Sequence, residues 1–181
     1  GEHRMFKHLT VILAFLMTLS SPVVAQDFQK GFAAAQTGDY ATALQEWKPL
    51  AEAGDGATQY NLGVMYNNGL GVLQDDKEAV KWYRLAAEQG DAKAQFNLGN
   101  MYGNGRGVVQ DYKEAVKWHR LSAEQGLAAA QTNLFFMYDN GYGVLQDNAI
   151  THMWYNIGAA NGNELGGTNR DKIAKLMTPA D

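Results

Sequence analysis

The stretch DAKAQFNLGNMYGNGRGVVQDYKEAVKWHRLSAEQG, Asp91 to Gly126, decides how this chain folds. Slid back by 36 positions it overlays DGATQYNLGVMYNNGLGVLQDDKEAVKWYRLAAEQG, Asp55 to Gly90. Slid forward it meets a looser third copy, Leu127 to Gly162. Columns fixed in all three units include Gln59/Gln95/Gln131, Leu62/Leu98/Leu134, Met65/Met101/Met137, Asn68/Asn104/Asn140 and Trp82/Trp118/Trp154. Self-similarity at one fixed period is the mark of an array of identical structural units.

Each unit reads as two helices. In the first, Leu62, Met65 and Tyr66 fall at i, i+3 and i+4, one apolar stripe over Tyr60 to Asn68. Gly63 and Gly99 interrupt that helix where glycine costs about 0.8–1 kcal/mol against alanine, which predicts a close helix–helix approach there. The helix stops at Asn-Gly-x-Gly, where glycine supplies a left-handed backbone. Asp75 with Glu78, and Asp111 with Glu114, have the spacing of a capping box: the aspartate takes orphan N–H groups and the glutamate reaches back. The third unit has Ile150 in the glutamate's place, so its cap is expected to be weaker. Ala79, Trp82, Tyr83 and Ala86 make the buried stripe of the second helix.

The pattern A-x-x-x-L-G-x-M-Y-x-N-G-x-G-V-x-Q-D, followed by A-V-x-W-(Y/H)-R-x-(A/S)-A-E-Q-G, resembles the Sel1-like repeat, a relative of the tetratricopeptide repeat. Ala57–Gly90 and Ala94–Gly126 match it almost throughout, while the third unit departs at Phe135, Thr151 and Gly158. The likeness extends over roughly residues 27–177. It implies an all-α fold, an α/α superhelical solenoid of helix-turn-helix units, whose concave face binds peptides or protein segments and which has no common catalytic residues. Three full repeats are expected at 55–90, 91–126 and 127–162. A partial unit at 26–54 precedes them, its first helix near Asp27 to Gln36 turning through Thr37-Gly38, and an incomplete C-terminal cap occupies 163–181.

Within such an array, positions shared by every unit serve folding and stacking, and positions that vary on one helix face are free to meet a partner. On the first helices the varying columns are Tyr60/Phe96/Thr132, Val64/Asn100/Phe136 and Asn67/Gly103/Asp139. Offsets of four and seven put each trio on one face. In tetratricopeptide relatives the equivalent face lines the groove, so the ligand surface is expected there, edged by Asn68, Asn104 and Asn140. Amide side chains can serve a peptide backbone in both directions, and the aromatics offer contact area. The competing reading is structural: the three asparagines finish the helix, and Tyr60, Phe96 and Phe136 pack between units.

Catalysis finds little support. The paired glycines lack the preceding strand and the further glycine or Gly-Lys-Ser/Thr of a phosphate loop. His119 and His152 occupy different columns without a second metal ligand at helical spacing, so no metal and no cofactor is expected. His119 stands where the previous unit has Tyr83 and reads as an aromatic substitute; the tryptophans read as core. The chain contains no cysteine, which removes thiolate zinc sites and cysteine nucleophiles. It also lacks the disulfides on which penicillin-binding or penicillin-hydrolysing relatives depend, and no Ser-x-x-Lys is present.

The chain has 181 residues and a formal charge of −4. At its start, Arg4, Lys7 and His8 precede an apolar run from Leu9 to Leu19, then Pro22 and small residues Val23 and Ala25. This is the layout of a signal peptide cleaved after Ala25, with Gly1–Arg4 upstream of Met5, and it predicts a periplasmic or secreted protein with no stable membrane span. Removing residues 1–25 takes away Glu2, Arg4 and Lys7 and leaves 13 basic against 18 acidic side chains, of the 15 and 19 in the whole chain. That surface disfavours nucleic acid or anionic lipid as the main partner. Thr178-Pro179-Ala180-Asp181 reads as a helix opening. A solenoid end without its cap is expected to pack on a second copy, making a homo-oligomer, to pack on the signal segment, or to fray. The function expected is a protein–protein interaction scaffold; a regulatory partner of an envelope sensor or secretion apparatus differs only in who binds.

Overall fold

The computed structural model describes residues 22–160. Eight helices follow one another: α1 Pro22–Gln36, α2 Tyr40–Glu52, α3 Gly56–Asn68, α4 Asp76–Glu88, α5 Ala92–Asn104, α6 Tyr112–Glu124, α7 Ala128–Asn140 and α8 Asn148–Ala160. Among the described residues there is no strand, and no helix is long and apolar enough to cross a membrane. Each helix packs chiefly on its neighbours in the chain. This is the all-α solenoid of helical hairpins that the repeat implied. Most of the expected signal segment and cap lie outside the described residues. Helix α1 begins at Pro22, earlier than the expected Asp27, because proline is well suited to a first helical turn.

No hairpin buries its own apolar face alone. One core joins Ala79, Val80 and Tyr83 of α4 to Leu98 and Met101 of α5 and to Trp118 of α6. The next joins Ala115 and Val116 of α6 to Leu134, Phe135 and Met137 of α7 and to Trp154 of α8. An equivalent core sits one step earlier around Trp47, Leu62, Met65 and Trp82. Every fixed tryptophan thus closes the core between its own unit and the one before it, and the burial that stabilises one hairpin is supplied jointly with the next.

A polar spine runs through the same seams. Gln95, 4% exposed, donates from Nε2 to the Ala87 carbonyl at 3.1 Å and accepts from Gln125 Nε2 at 2.8 Å. Gln59 repeats this with Ala51 and Gln89. The glutamine thereby adds a second bond to a carbonyl in the last turn of the preceding helix, which also accepts from the glycine N–H of the turn. Replacing Gln95 with leucine removes one of two bonds from each group, since the Ala87 carbonyl keeps the Gly90 N–H and Gln125 Nε2 keeps the Gly90 carbonyl. We expect a loss of about 1 kcal/mol, read as a lower urea midpoint at unchanged slope.

Two local expectations need correction. Asp75 accepts from the N–H groups of Lys77 and Glu78, as a cap should, but Glu78 pairs with Lys81 at 3.2 Å instead of reaching back. The Asp75 N–H goes to the Tyr66 carbonyl at 3.0 Å. Asp111, Glu114 and Lys117 behave alike. The third cap is therefore no weaker for lacking a glutamate: Asp147 accepts from Ala149 and Ile150 at 2.9 and 3.0 Å. The weak cap is at α7, where Leu127 replaces aspartate and makes no side-chain bond.

Candidate functional site

The mid-helix glycines explain where the site opens. The ring of Tyr83 lies directly on the backbone at Gly63, and the ring of His119 lies on Gly99, 2.8 Å from where a Cβ would stand. The expected close approach is thus a ring set flat against a helix rather than two backbones in contact. Tyr83 packs beside Tyr60, with ring centroids 6.1 Å apart, and its hydroxyl is within reach of Asn97. His119 packs beside Phe96 at 5.6 Å, and its Nε2 meets Asn133, the counterpart of Asn97, at 3.3 Å. Burial pushes the His119 pKa down to about 4, so the ring is neutral near pH 7. An imidazole is shorter than a phenol. The space the missing hydroxyl leaves contributes to a groove of about 290 Å³ between α5, α6 and α7.

Asn100, Asn104 and Phe136 of the expected ligand face line this groove. Phe136 is 47% exposed, and Asn100 accepts from Asn133 at 2.9 Å. The other expected residues are placed differently. Tyr60 and Phe96 are half-buried under the ring contacts just described, and Val64 packs on the core between α4 and α5. Thr132 donates to the Ala128 carbonyl of its own helix, while the carbonyls of Asn67 and Asp139 accept from Gln74 and Gln146. Asn68, Asn104 and Asn140 each donate Nδ2 to the carbonyl four residues back, at 2.7 to 2.9 Å. They do finish the helix, and that bond fixes which way the amide faces: nitrogen inward, oxygen outward. Each amide keeps its oxygen and one N–H beyond that bond. Gln74, Gln110 and Gln146 are turned the same way by their bonds to backbone carbonyls.

The groove also contains residues that helix-face columns did not point to: Gln110, Tyr112, His119, Asn133 and Tyr142. Tyr112 and Tyr142 stack at 5.0 Å with planes 15° apart, joining the start of α6 to the loop after α7. One seam earlier the same two positions are Asp76 and Arg106, which form a paired ion contact at 2.7 and 3.1 Å. One seam earlier again they are Tyr40 and Leu70, both packed on the first core. Extending the repeat comparison from the helices to the loops makes this variation visible in the sequence. Among the described residues, no group of three histidine and carboxylate side chains is placed to hold a metal ion.

The Sel1 repeat family model matches residues 56–91, 92–127 and 128–163. The chain belongs to the Sel1 repeat family. Among solved structures it is similar to a protective antigen present in uropathogenic Escherichia coli strains displaying an SLR fold, with 37% identity and a TM-score of 0.80. That match covers 84% of this chain and 34% of the other. It is also similar to a Sel1 repeat protein from Oxalobacter formigenes, with 34% identity, a TM-score of 0.74, and coverage of 77% and 58%. This chain thus spans about a third and somewhat over half of those two proteins. No curated protein gives a match. Sel1 repeat proteins generally mediate protein–protein interaction, and the family is typically non-enzymatic.

Proposed function

We propose that this Sel1 repeat array is an exported scaffold that holds a protein or peptide segment against its first-helix face, with the seam between the second and third full units as the main contact. The observation that carries the reading is the exposure of Phe136 in a groove whose walls include the varying repeat positions Asn100, Tyr112, His119 and Tyr142. The fixed neighbours Leu134 and Met137 are buried at 0% and 7%, whereas Phe136 is 47% exposed. An apolar ring that packs one side on Phe135 and leaves the rest open among amide side chains suits a guest. The basic start, apolar run and small residues before Gln26 support export to the periplasm or beyond.

The test is a photo-reactive phenylalanine analogue at Phe136, expressed in the full chain in an envelope-bearing cell, with the same analogue at exposed Leu121 on α6 as control. Mass spectrometry is expected to show a partner linked at Phe136 and not at Leu121, on a chain that begins at Gln26. Equal capture at both positions overturns the groove assignment, and a retained N-terminal segment overturns the export half. A triple alanine of Tyr60, Phe96 and Phe136 is a poor control, because two of its three rings support buried Tyr83 and His119.

A further inference from the structure

We infer that the groove between the second and third full units takes an arginine side chain from the partner segment, its guanidinium lying on the Phe136, Tyr112 and Tyr142 rings and donating to the side-chain oxygens of Asn104, Gln110 and Asn133. The inference rests on the reading above that this seam is a partner-binding surface, and it names the chemistry of the guest.

Three observations converge. First, three amides of the lining, Asn104, Gln110 and Asn133, are held with their oxygens free to accept. Asn104 and Gln110 have their nitrogens tied to the carbonyls of Asn100 and Gly103, and Asn133 has its nitrogen on Asn100 Oδ1. Gln110 and Asn133 place a second partner on the same nitrogen, the Tyr112 hydroxyl and His119 Nε2, so these two amides have only their oxygens left for a guest that brings donors. Arginine carries five N–H donors and no acceptor. Second, the groove has no charged side chain in its walls, His119 is uncharged near neutral pH, and the chain as a whole carries −4. A cation meets no like charge there, and a carboxylate finds no cationic side chain to pair with. The rings themselves favour a flat cation, which a guanidinium is and an ammonium is not.

Third, the molecule shows an arginine in the corresponding place one seam earlier. Arg106 reaches across to the start of α4 and binds Asp76 through two nitrogens. In the next seam the position of Arg106 is Tyr142 and that of Asp76 is Tyr112. The internal guanidinium and its carboxylate are both replaced by aromatic faces, and the seam opens into a groove. One seam fills itself with arginine; its neighbour is lined to receive one from outside.

The probe is acetyl-Ala-Ala-Arg-Ala-Ala-amide titrated into the full, isotope-labelled chain in about 0.15 M salt, followed by nuclear magnetic resonance. Saturable shifts are expected at the side-chain amides of Asn104, Gln110 and Asn133. Peptides with lysine or citrulline in the central position are expected to bind about five- to tenfold more weakly, and the glutamate peptide not at all. Tyr142→Arg, which recreates the Arg106 arrangement in this seam, should lower affinity for the arginine peptide about tenfold, while Tyr142→Phe retains it and both keep the parent's helicity and melting temperature. Arginine and lysine peptides within twofold of each other, shifts scattered over acidic surface away from the seam, or unchanged affinity in Tyr142→Arg each overturn the inference. So does the absence of saturable shifts. A partner cross-linked at Phe136 through a segment without arginine leaves the scaffold reading standing and removes only the guanidinium.

Discussion

Gly107→Ala is expected to destabilise the array by about 3 kcal/mol, while the same change at Gly90 costs about 1 kcal/mol. Both glycines have a left-handed backbone, with φ of 69° and 95°, so both substitutions strain the chain. Only Gly107 also lies against a neighbour: a Cβ there would overlap the Asp76 carbonyl and stand 2.9 Å from the Lys77 nitrogen. Nothing lies within 4 Å of a Cβ at Gly90. The obstacle at Gly107 is backbone at the start of α4, pinned by the Asp75 cap, and it cannot rotate aside as a side chain would. The loop after α5 must therefore lift, carrying Arg106 off Asp76 and opening the seam. Urea melts of the two variants separate the terms, since φ strain is common to both. Equal losses would mean that the loop yields without effect on stacking.

The helix count and the order of hairpins were legible because one unit repeats, and each repetition tests the reading of the one before. Leu62/Leu98/Leu134 and the three tryptophans recur because every seam needs them, and all six are buried. What escaped was whatever depends on a choice between partners within reach. Glu78 has the spacing to cap its helix and also to pair with Lys81; the second contact keeps both groups near water, and Asp75 already holds the N–H groups a cap must satisfy. Pro22 reads equally as the end of an apolar leader and as the first turn of a helix. The groove escaped for a different reason. Tyr112 and Tyr142 are thirty positions apart, on a helix start and a loop of different units, and helical periodicity says nothing about such pairs. Phe136, Asn100 and Asn104 were legible because they do lie on a helix face.

Acid should loosen the array between pH 6.5 and about 4, and His119→Tyr should remove most of that sensitivity. In the unfolded chain the imidazole takes up its proton near 6.5; in the fold, burial holds that event down to about 4. The unfolded state therefore binds the extra proton first. The stability that comes from keeping His119 neutral is whole above 6.5 and drains as pH falls toward 4, to a total of about 3 kcal/mol at 1.36 kcal/mol per unit. Asp39 acts in a separate, more acidic window, because hydrogen bonds from the Thr42 side chain and backbone hold its carboxyl below the ordinary value. Melting temperature against pH is expected to fall steeply from 6.5 to 4 in the parent and to stay nearly level there in His119→Tyr, with the Asp39 step left in both. The variant is the residue already present at Tyr83, where the ring fits against a glycine and the hydroxyl finds an asparagine. Gly99 and Asn133 offer the same surroundings, so the tyrosine should fold well and extend into the groove. A second readout follows from the same atom: if the shorter ring helps open the seam, the variant that gains acid resistance must also lose guest affinity. Acid resistance gained with binding intact would show that the groove owes its volume to Tyr112 and Tyr142 alone.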